Sequence, residues 1–387
     1  MNGMFVVWLL SCSICLKLGV IRAHRITIEE TVTRHGYPVE SHKVVTSDGY
    51  ILTVLRMPNP GRRPALIVHG LLYSSAEWCI YGKQSLAMRI FDARFDVWLP
   101  NCRGNTFSRK HTKLNVASEK FWDFSWHEIG VFDLPALINY VLRVSGFTKL
   151  HYIGHSQGTT SFFVLNSIMP QYGDKIETAH LLAPTCFMNH TYSPPSRAFI
   201  PRMKEIRLIS QMTGNWVLLA HDDDSSFLGA TRAALTDAMP PEVFLIIMYS
   251  SSGMRSLQLN QSVIRRIMET VPAGSSLKQF EHYGQIIQSG KFRQYDYGPA
   301  GNLERYNTTS SPEYKLENIR APIALYYSDN DWFVDPKDVE LLKTKLKNIL
   351  LDYHVTVPEF NHLDFLFDNA AIKVYNEIIR IMTMSET

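Results

Sequence analysis

The strongest sign of chemistry in this sequence is a serine between two glycines, Gly154-His155-Ser156-Gln157-Gly158. A serine hydroxyl is a weak nucleophile unless a base takes its proton, and the base must itself be held by an acid. A GxSxG pentapeptide arises by chance in about one chain in ten of this length, so its context decides. Leu150-His151-Tyr152-Ile153 before it reads as a buried strand, and Ser161-Phe162-Phe163-Val164-Leu165 after it as a buried helix. Strand, sharp turn and helix make the setting of a nucleophile elbow, in which the glycines remove side chains where strand and helix crowd together. Ser156 is the expected nucleophile of an acyl transfer, and His155 reads as a support of the elbow rather than as the base.

In the chain order serine, acid, histidine, the base comes late. Asn361-His362-Leu363-Asp364 lies in a loop near the C-terminus, which makes His362 the candidate base and Asp364 a structural hydrogen bonder. For the acid, Ser328-Asp329-Asn330-Asp331 follows the strand-like Ile323 to Tyr327. Asp331 is preferred, but Asp329 and Asp335, which can cap the next helix, are not separated from it by spacing alone. A tetrahedral intermediate needs two main-chain donors: Gln157, after the nucleophile, and Leu71, after His69-Gly70. There is no HExxH, paired CxxC or GxxxxGK[ST] motif, so no metal or cofactor is expected.

These groups need a sheet to carry them. Val44 to Arg56 reads as two strands meeting at Asp48-Gly49 in an antiparallel hairpin. Ala65-Leu66-Ile67-Val68 and Asp96-Val97-Trp98-Leu99-Pro100 read as buried parallel strands ending in functional loops. Leu134, Leu137, Ile138, Val141 and Leu142 recur at helical spacing, with Asp133 as the expected cap and Gly146 as the stop. From about Pro184 to Ile319 the alternation of strand and helix ceases. This stretch, which includes Asp222-Asp223-Asp224 and the apolar run Val243 to Met248, reads as a mostly helical insertion over the site. That run serves either as core of the insertion or as lining for an acyl chain, core being the commoner fate. The core pattern resumes with Ile323 to Tyr327, a helix carrying Val339, Leu342, Leu346 and Leu350, and the strand Val355-Thr356-Val357. The expected fold is an α/β-hydrolase, a mostly parallel sheet flanked by helices. Its core is expected over residues 24–184 and 320–387, with a helical cap or lid over 185–319.

With 387 residues, 45% of them hydrophobic, the chain can bury a large core. Its 39 Lys and Arg are scattered and nearly balanced by 36 Asp and Glu, which argues against a nucleic-acid partner. The apolar start, too short to span a bilayer, reads as a signal peptide over residues 1–23. No later segment offers about eighteen uninterrupted apolar residues, so no transmembrane segment is expected in the mature chain. Three sequons, at Asn189, Asn260 and Asn307, agree with a secretory route and are candidates for N-glycosylation. Removing the signal would leave Cys79, Cys102 and Cys186, enough for one internal disulfide at most.

Several motifs together resemble the animal acid lipase family, which includes gastric lipase, lysosomal acid lipase and insect relatives. The likeness runs from about Tyr37 to the C-terminus. It is carried by Gly36-Tyr37-Pro38, Thr46 to Leu52, His69-Gly70-Leu71-Leu72, Asn101-Cys102-Arg103-Gly104-Asn105-Thr106, Phe121 to Trp126, Gly154 to Thr159, Ser289-Gly290-Lys291-Phe292, Tyr295 to Gly298 and Asn361 to Phe365. The resemblance implies that Ser156, Asp331 and His362 form the triad and that Leu71 and Gln157 supply the oxyanion donors. It also implies a helical cap with a mobile lid and hydrolysis of triacylglycerols or cholesteryl esters at a lipid–water interface, in the extracellular or lysosomal lumen. The cap cysteine pair of the vertebrate digestive members is missing, since Cys186 stands alone there. The readings to be weighed against a lipase are a carboxylesterase of smaller esters, a serine peptidase and a non-catalytic lipid carrier on the same fold.

Overall fold

The computed structural model describes residues 27–219, 239–254 and 261–386. The expected signal segment, the run Asp222-Asp223-Asp224 and the sequon at Asn260 lie outside them.

A nine-stranded sheet forms the centre. Its main strands are β1 (Glu40–Val45), β2 (Tyr50–Met57), β3 (Pro64–Val68), β4 (Asp96–Pro100), β5 (Leu150–His155), β6 (Ile176–Leu182), β7 (Ile323–Ser328) and β8 (Ile349–Val355), in the spatial order β1-β2-β4-β3-β5-β6-β7-β8. The short strand Lys110–His111 pairs beside β2. β1 and β2 form the hairpin expected at Asp48-Gly49, with Val45 opposite Ile51. β2 meets β4 antiparallel, and every neighbouring pair from β4 to β8 is parallel. Every residue of β3, β4, β5 and β7 is buried, as both faces of a parallel sheet require when helices cover them. β8 lies at the edge and alternates between half-buried and exposed positions. Helices Leu134–Ser145, Gln157–Ile168 and Ala371–Met384 bury apolar faces of Leu, Ile, Val and Phe against this sheet.

Three local expectations are corrected. Asp133 does not cap helix Leu134–Ser145: it belongs to a π turn, Ile129–Asp133, that feeds the helix. Its buried carboxylate is taken instead by Arg103, whose backbone N–H and Nε donate to it at 2.9 and 2.8 Å. The remaining Arg103 nitrogens grip Asp48 at 2.6 and 2.9 Å, tying the β4 loop to the first hairpin. The preceding helix spans only Pro336–Lys343, so of its expected residues Leu346 lies in the connection after it and Leu350 in β8. β8 consequently ends at Val355, where the last strand was expected to begin.

Between β6 and β7 the described residues form helices Pro194–Phe199, Met203–Thr213, Pro241–Ser252, Gln261–Thr270, Leu277–Ser289 and Gly298–Tyr306. A two-stranded pairing of Val217–Leu218 with Ser275–Ser276 joins them. The apolar run in helix Pro241–Ser252 divides by helical period: Phe244, Leu245 and Met248 are buried, while Val243, Ile246 and Ile247 are exposed. Cys79, Cys102 and Cys186 are all buried free thiols, so the fold rests on its core and on no internal disulfide among the described residues. No helix of the described residues is long and apolar enough to cross a membrane.

Candidate active site

β5 runs into the turn at Ser156, and helix Gln157–Ile168 leaves it. Ser156 has φ 50° and ψ −115°, a left-handed backbone that a residue with a side chain adopts only under strain. The crowding that demands glycines is visible around it. A Cβ on Gly158 would lie 2.5 Å from the Val68 carbonyl oxygen, and one on Gly154 would lie 2.9 Å from the Gly158 carbonyl carbon. Ser156 is the one half-buried residue in a run of buried ones from His151 to Val164, which leaves it the accessible residue of the elbow.

Asp331 and His362 come from loops beyond β7 and β8, and both are buried. His362 Nδ1 lies 2.8 Å from Asp331 Oδ2. The other carboxylate oxygen, Oδ1, accepts the backbone N–H groups of Phe333 and Val334 at 2.9 Å each. The two competing carboxylates are occupied elsewhere: Asp329 faces His354 at 2.9 Å, and Asp335 caps helix Pro336–Lys343 by accepting Lys337 N–H at 2.8 Å. Asp364 holds the loop that bears His362 by accepting the Asn361 N–H at 2.9 Å.

The loop after β3 approaches the elbow directly, since a Cβ on Gly70 would sit 3.4 Å from Ser156 Cβ. His69 Nε2 accepts the N–H of Cys102 at 3.0 Å and faces Asn105 Nδ2 at 3.2 Å, which places the ring proton on Nδ1. That Nδ1–H donates to the Gly70 carbonyl at 2.8 Å. In a trans peptide the N–H points opposite to the C=O, so His69 turns the Leu71 N–H away from its own ring. Burial pushes His69 down to about 4, and the ring stays a neutral strut at ordinary pH. Gly70 N–H also reaches Glu77 Oε1 at 3.4 Å, and burial raises that carboxyl well above the usual range. Gln157 N–H is the first of its helix and so has no intrahelical acceptor.

The segment between β6 and β7 touches the loops after β3, β4, β7 and β8 through its main chain. Ala273 N–H donates to the Leu72 carbonyl at 2.6 Å, and its own carbonyl accepts Thr106 N–H at 2.8 Å. At the end of helix Pro241–Ser252, Asn361 Nδ2 donates to the Gly253 carbonyl at 2.9 Å, Trp332 N–H to that of Ser252 at 3.2 Å, and Asn330 Nδ2 to that of Met254 at 2.9 Å. Sequence reasoning missed the roles of His69, Glu77, Asn105 and Gly253. For His69 a signal existed, a histidine directly before the loop glycine. Gly253 had none, because its partners lie far along the chain.

Residues 28–82 match the partial alpha/beta-hydrolase lipase region, and residues 64–206 match the alpha/beta hydrolase fold. The chain is 40% identical to Lipase 3 of Drosophila melanogaster, covering 92% of this chain and 93% of that one. It is 38% identical to gastric triacylglycerol lipase of Rattus norvegicus (92% and 91% covered) and 36% identical to that of Homo sapiens (92% and 90%). Among solved structures, an alpha/beta hydrolase fold protein from Nakamurella multipartita superposes with a TM-score of 0.51 at 15% identity, over 88% of this chain and 98% of that one. A thermophilic esterase from Thermogutta terrifontis does so with a TM-score of 0.50 at 14% identity, over 90% and 100%. Likeness at this level speaks for the fold alone, whereas the sequence relatives span nearly the whole chain. The chain belongs to the animal acid lipase family of the α/β-hydrolase superfamily, and with it to the carboxylic ester hydrolases.

Proposed function

We propose that the chain hydrolyses esters of neutral lipids, triacylglycerols or cholesteryl esters, through an acyl-enzyme on Ser156. The observation that carries this reading is the buried His362–Asp331 pair at 2.8 Å, held on loops that meet the elbow of Ser156. Ser156 Oγ attacks the ester carbonyl carbon while His362 Nε2 takes its proton. The oxygen of the tetrahedral intermediate is received by the N–H groups of Leu71 and Gln157. Collapse breaks the bond to the alcohol oxygen, which leaves with the proton from His362. Water, deprotonated by the same imidazole, then releases the fatty acid and restores Ser156.

A lipid substrate is supported by the names of the relatives and by the surface of the segment over residues 185–319, read as a cap. That segment exposes Phe199, Leu208, Ile209, Met212, Val243, Ile246 and Ile247, side chains suited to a lipid phase rather than to water. The sequons at Asn189 and Asn307 are exposed and fit a glycoprotein of the extracellular or lysosomal lumen.

Incubation with a fluorophosphonate is expected to place the adduct on Ser156 and to abolish turnover of emulsified triacylglycerol and cholesteryl ester. Turnover of peptides without turnover of either lipid, or an unlabelled Ser156, would overturn the reading. The strut on the Gly70–Leu71 peptide gives a second expectation. His69→Ala should lower kcat by about ten- to a hundredfold, less than the loss of a whole oxyanion donor, with KM little changed. Steady-state kinetics on a p-nitrophenyl ester check this, and a change confined to KM would refute it.

A further inference from the structure

His155 stands between the two loops that the proposed chemistry must hold together. It is the last residue of β5 and wholly buried, with its ring centroid 4.9 Å from that of His362, 6.3 Å from Phe365 and 6.5 Å from Trp78. Its Nε2 lies 2.9 Å from the carbonyl oxygen of His362. A carbonyl only accepts, so the ring proton is on Nε2 and Nδ1 carries a lone pair. Nδ1 has no hydrogen-bond partner among the described residues. It faces Gly70, where a Cβ would come within 3.1 Å of it.

A side chain chosen only for packing would not leave a buried nitrogen unsatisfied. An apolar residue of similar volume would fill the space among Trp78, Phe365 and Gly70 without that penalty. The one polar contact the ring does make is therefore the reason for a histidine here. We infer that His155 is a positioning residue: its Nε2–H, donated to the His362 carbonyl, fixes the base loop against the nucleophile elbow and sets the orientation from which His362 meets Ser156. The inference rests on the ester-hydrolase reading of Ser156 and His362. Asp331 holds the imidazole of the base from one side, and His155 holds its main chain from the other. Burial and the nearby His362 both keep His155 well below the usual histidine range. The strut thus stays neutral while His362 becomes an imidazolium 4.9 Å away, where a second cation would oppose the charge being formed.

Three variants of the full chain test this. Gln places an amide nitrogen near the position of Nε2, Asn places one near Nδ1, and Phe keeps the ring while removing both. Turnover of p-nitrophenyl butyrate, the rate of fluorophosphonate labelling of Ser156 and the thermal midpoint are measured for each. For His155→Phe and His155→Asn, kcat and the labelling rate are expected to fall by about ten- to a hundredfold, the scale of a misplacement near 1 Å, at unchanged KM. His155→Gln should recover most of that loss. If Phe prevents folding, the Gln and Asn pair decides alone. Equal loss in Gln and Asn, kcat of all variants close to the parent, or KM and kcat moving together would overturn the inference, as would a Gln variant that fails to fold along with Phe. Labelling separates this from failure of the hydrolase reading: an unlabelled Ser156 in the parent defeats both, whereas a labelled Ser156 with indifferent variants defeats only the role of His155.

Discussion

An Asp331→Asn enzyme is expected to lose about 10⁴-fold in kcat, the scale of wrong-tautomer defects in triads, with KM nearly unchanged. The reason is the way the carboxylate is pinned. Oδ1 accepts two backbone N–H groups, from Phe333 and Val334 at 2.9 Å each, and only an oxygen can do so. An asparagine must therefore keep its oxygen there and turn its NH₂ toward His362 Nδ1. Nδ1 becomes the acceptor, the ring proton moves to Nε2, and His362 presents a proton to Ser156 where a lone pair is needed. Substrate binding does not involve this exchange. Asp329→Asn and Asp335→Asn should stay within about twofold of the parent, because surface and capping contacts of this kind act on local stability. Steady-state kinetics on the three variants decide the matter, and an Asp331→Asn enzyme within tenfold of the parent would remove Asp331 from the mechanism.

The second large effect is expected at Gly253, which the chemistry never touches. An alanine Cβ there would lie 2.1 Å from the Asn330 carbonyl oxygen and 2.5 Å from Asn361 Cβ, at a φ of 134°. Neither neighbour is the free end of a flexible chain, so the backbone itself must give. Gly253→Ala is expected to destabilise the protein by about 2–4 kcal/mol, through overpacking and a backbone region closed to L-residues. Since the displaced neighbours precede Asp331 and His362 by one residue each, kcat should fall by about tenfold or more in whatever fraction stays folded. Gly146→Ala is the control. It too has positive φ, at 77°, but open space around it, and should cost about 1 kcal/mol without touching kcat. Denaturation midpoints with active-site titration separate the two effects, and full activity per labelled site in Gly253→Ala would refute the coupling.

What the sequence disclosed was what depends on neighbours along the chain. The hairpin at Asp48-Gly49, the apolar strands from Ala65 to Tyr327 and the elbow around Ser156 are each written in a dozen consecutive residues and formed where the pattern placed them, whereas the strand expected from Val355 lies earlier, at Ile349–Val355. Chain order adds the loops after β7 and β8, because a parallel sheet delivers such loops to one edge. Contacts across the chain were not legible. Asp133 looked like a helix cap because its partner Arg103, thirty residues earlier, cannot be inferred from helical spacing. Leu346 and Leu350 continue the helical period of Val339 and Leu342 by coincidence, since the helix ends at Lys343 and Leu350 falls within β8. The bond from His155 to the His362 carbonyl spans 207 residues and ends on a main-chain atom, so His155 could be read as a support of the elbow but its acceptor left no trace in side-chain type.

The main-chain bonds of Gly253 and Ala273 also bear on how such enzymes diversify. A segment that met the catalytic loops only through side chains would be exchangeable between relatives by recombination at its two ends. Here the residues from 185 to 319 carry carbonyl and N–H groups that complete the loops bearing Leu72, Trp332 and Asn361. A chimera with a foreign segment would inherit a new lipid-facing surface and a new mechanical frame for the site in one step. Shifts in substrate range would then arrive with changes in rate, and breeding the two traits apart would require matching the junctions at Gly253 and Ala273 first.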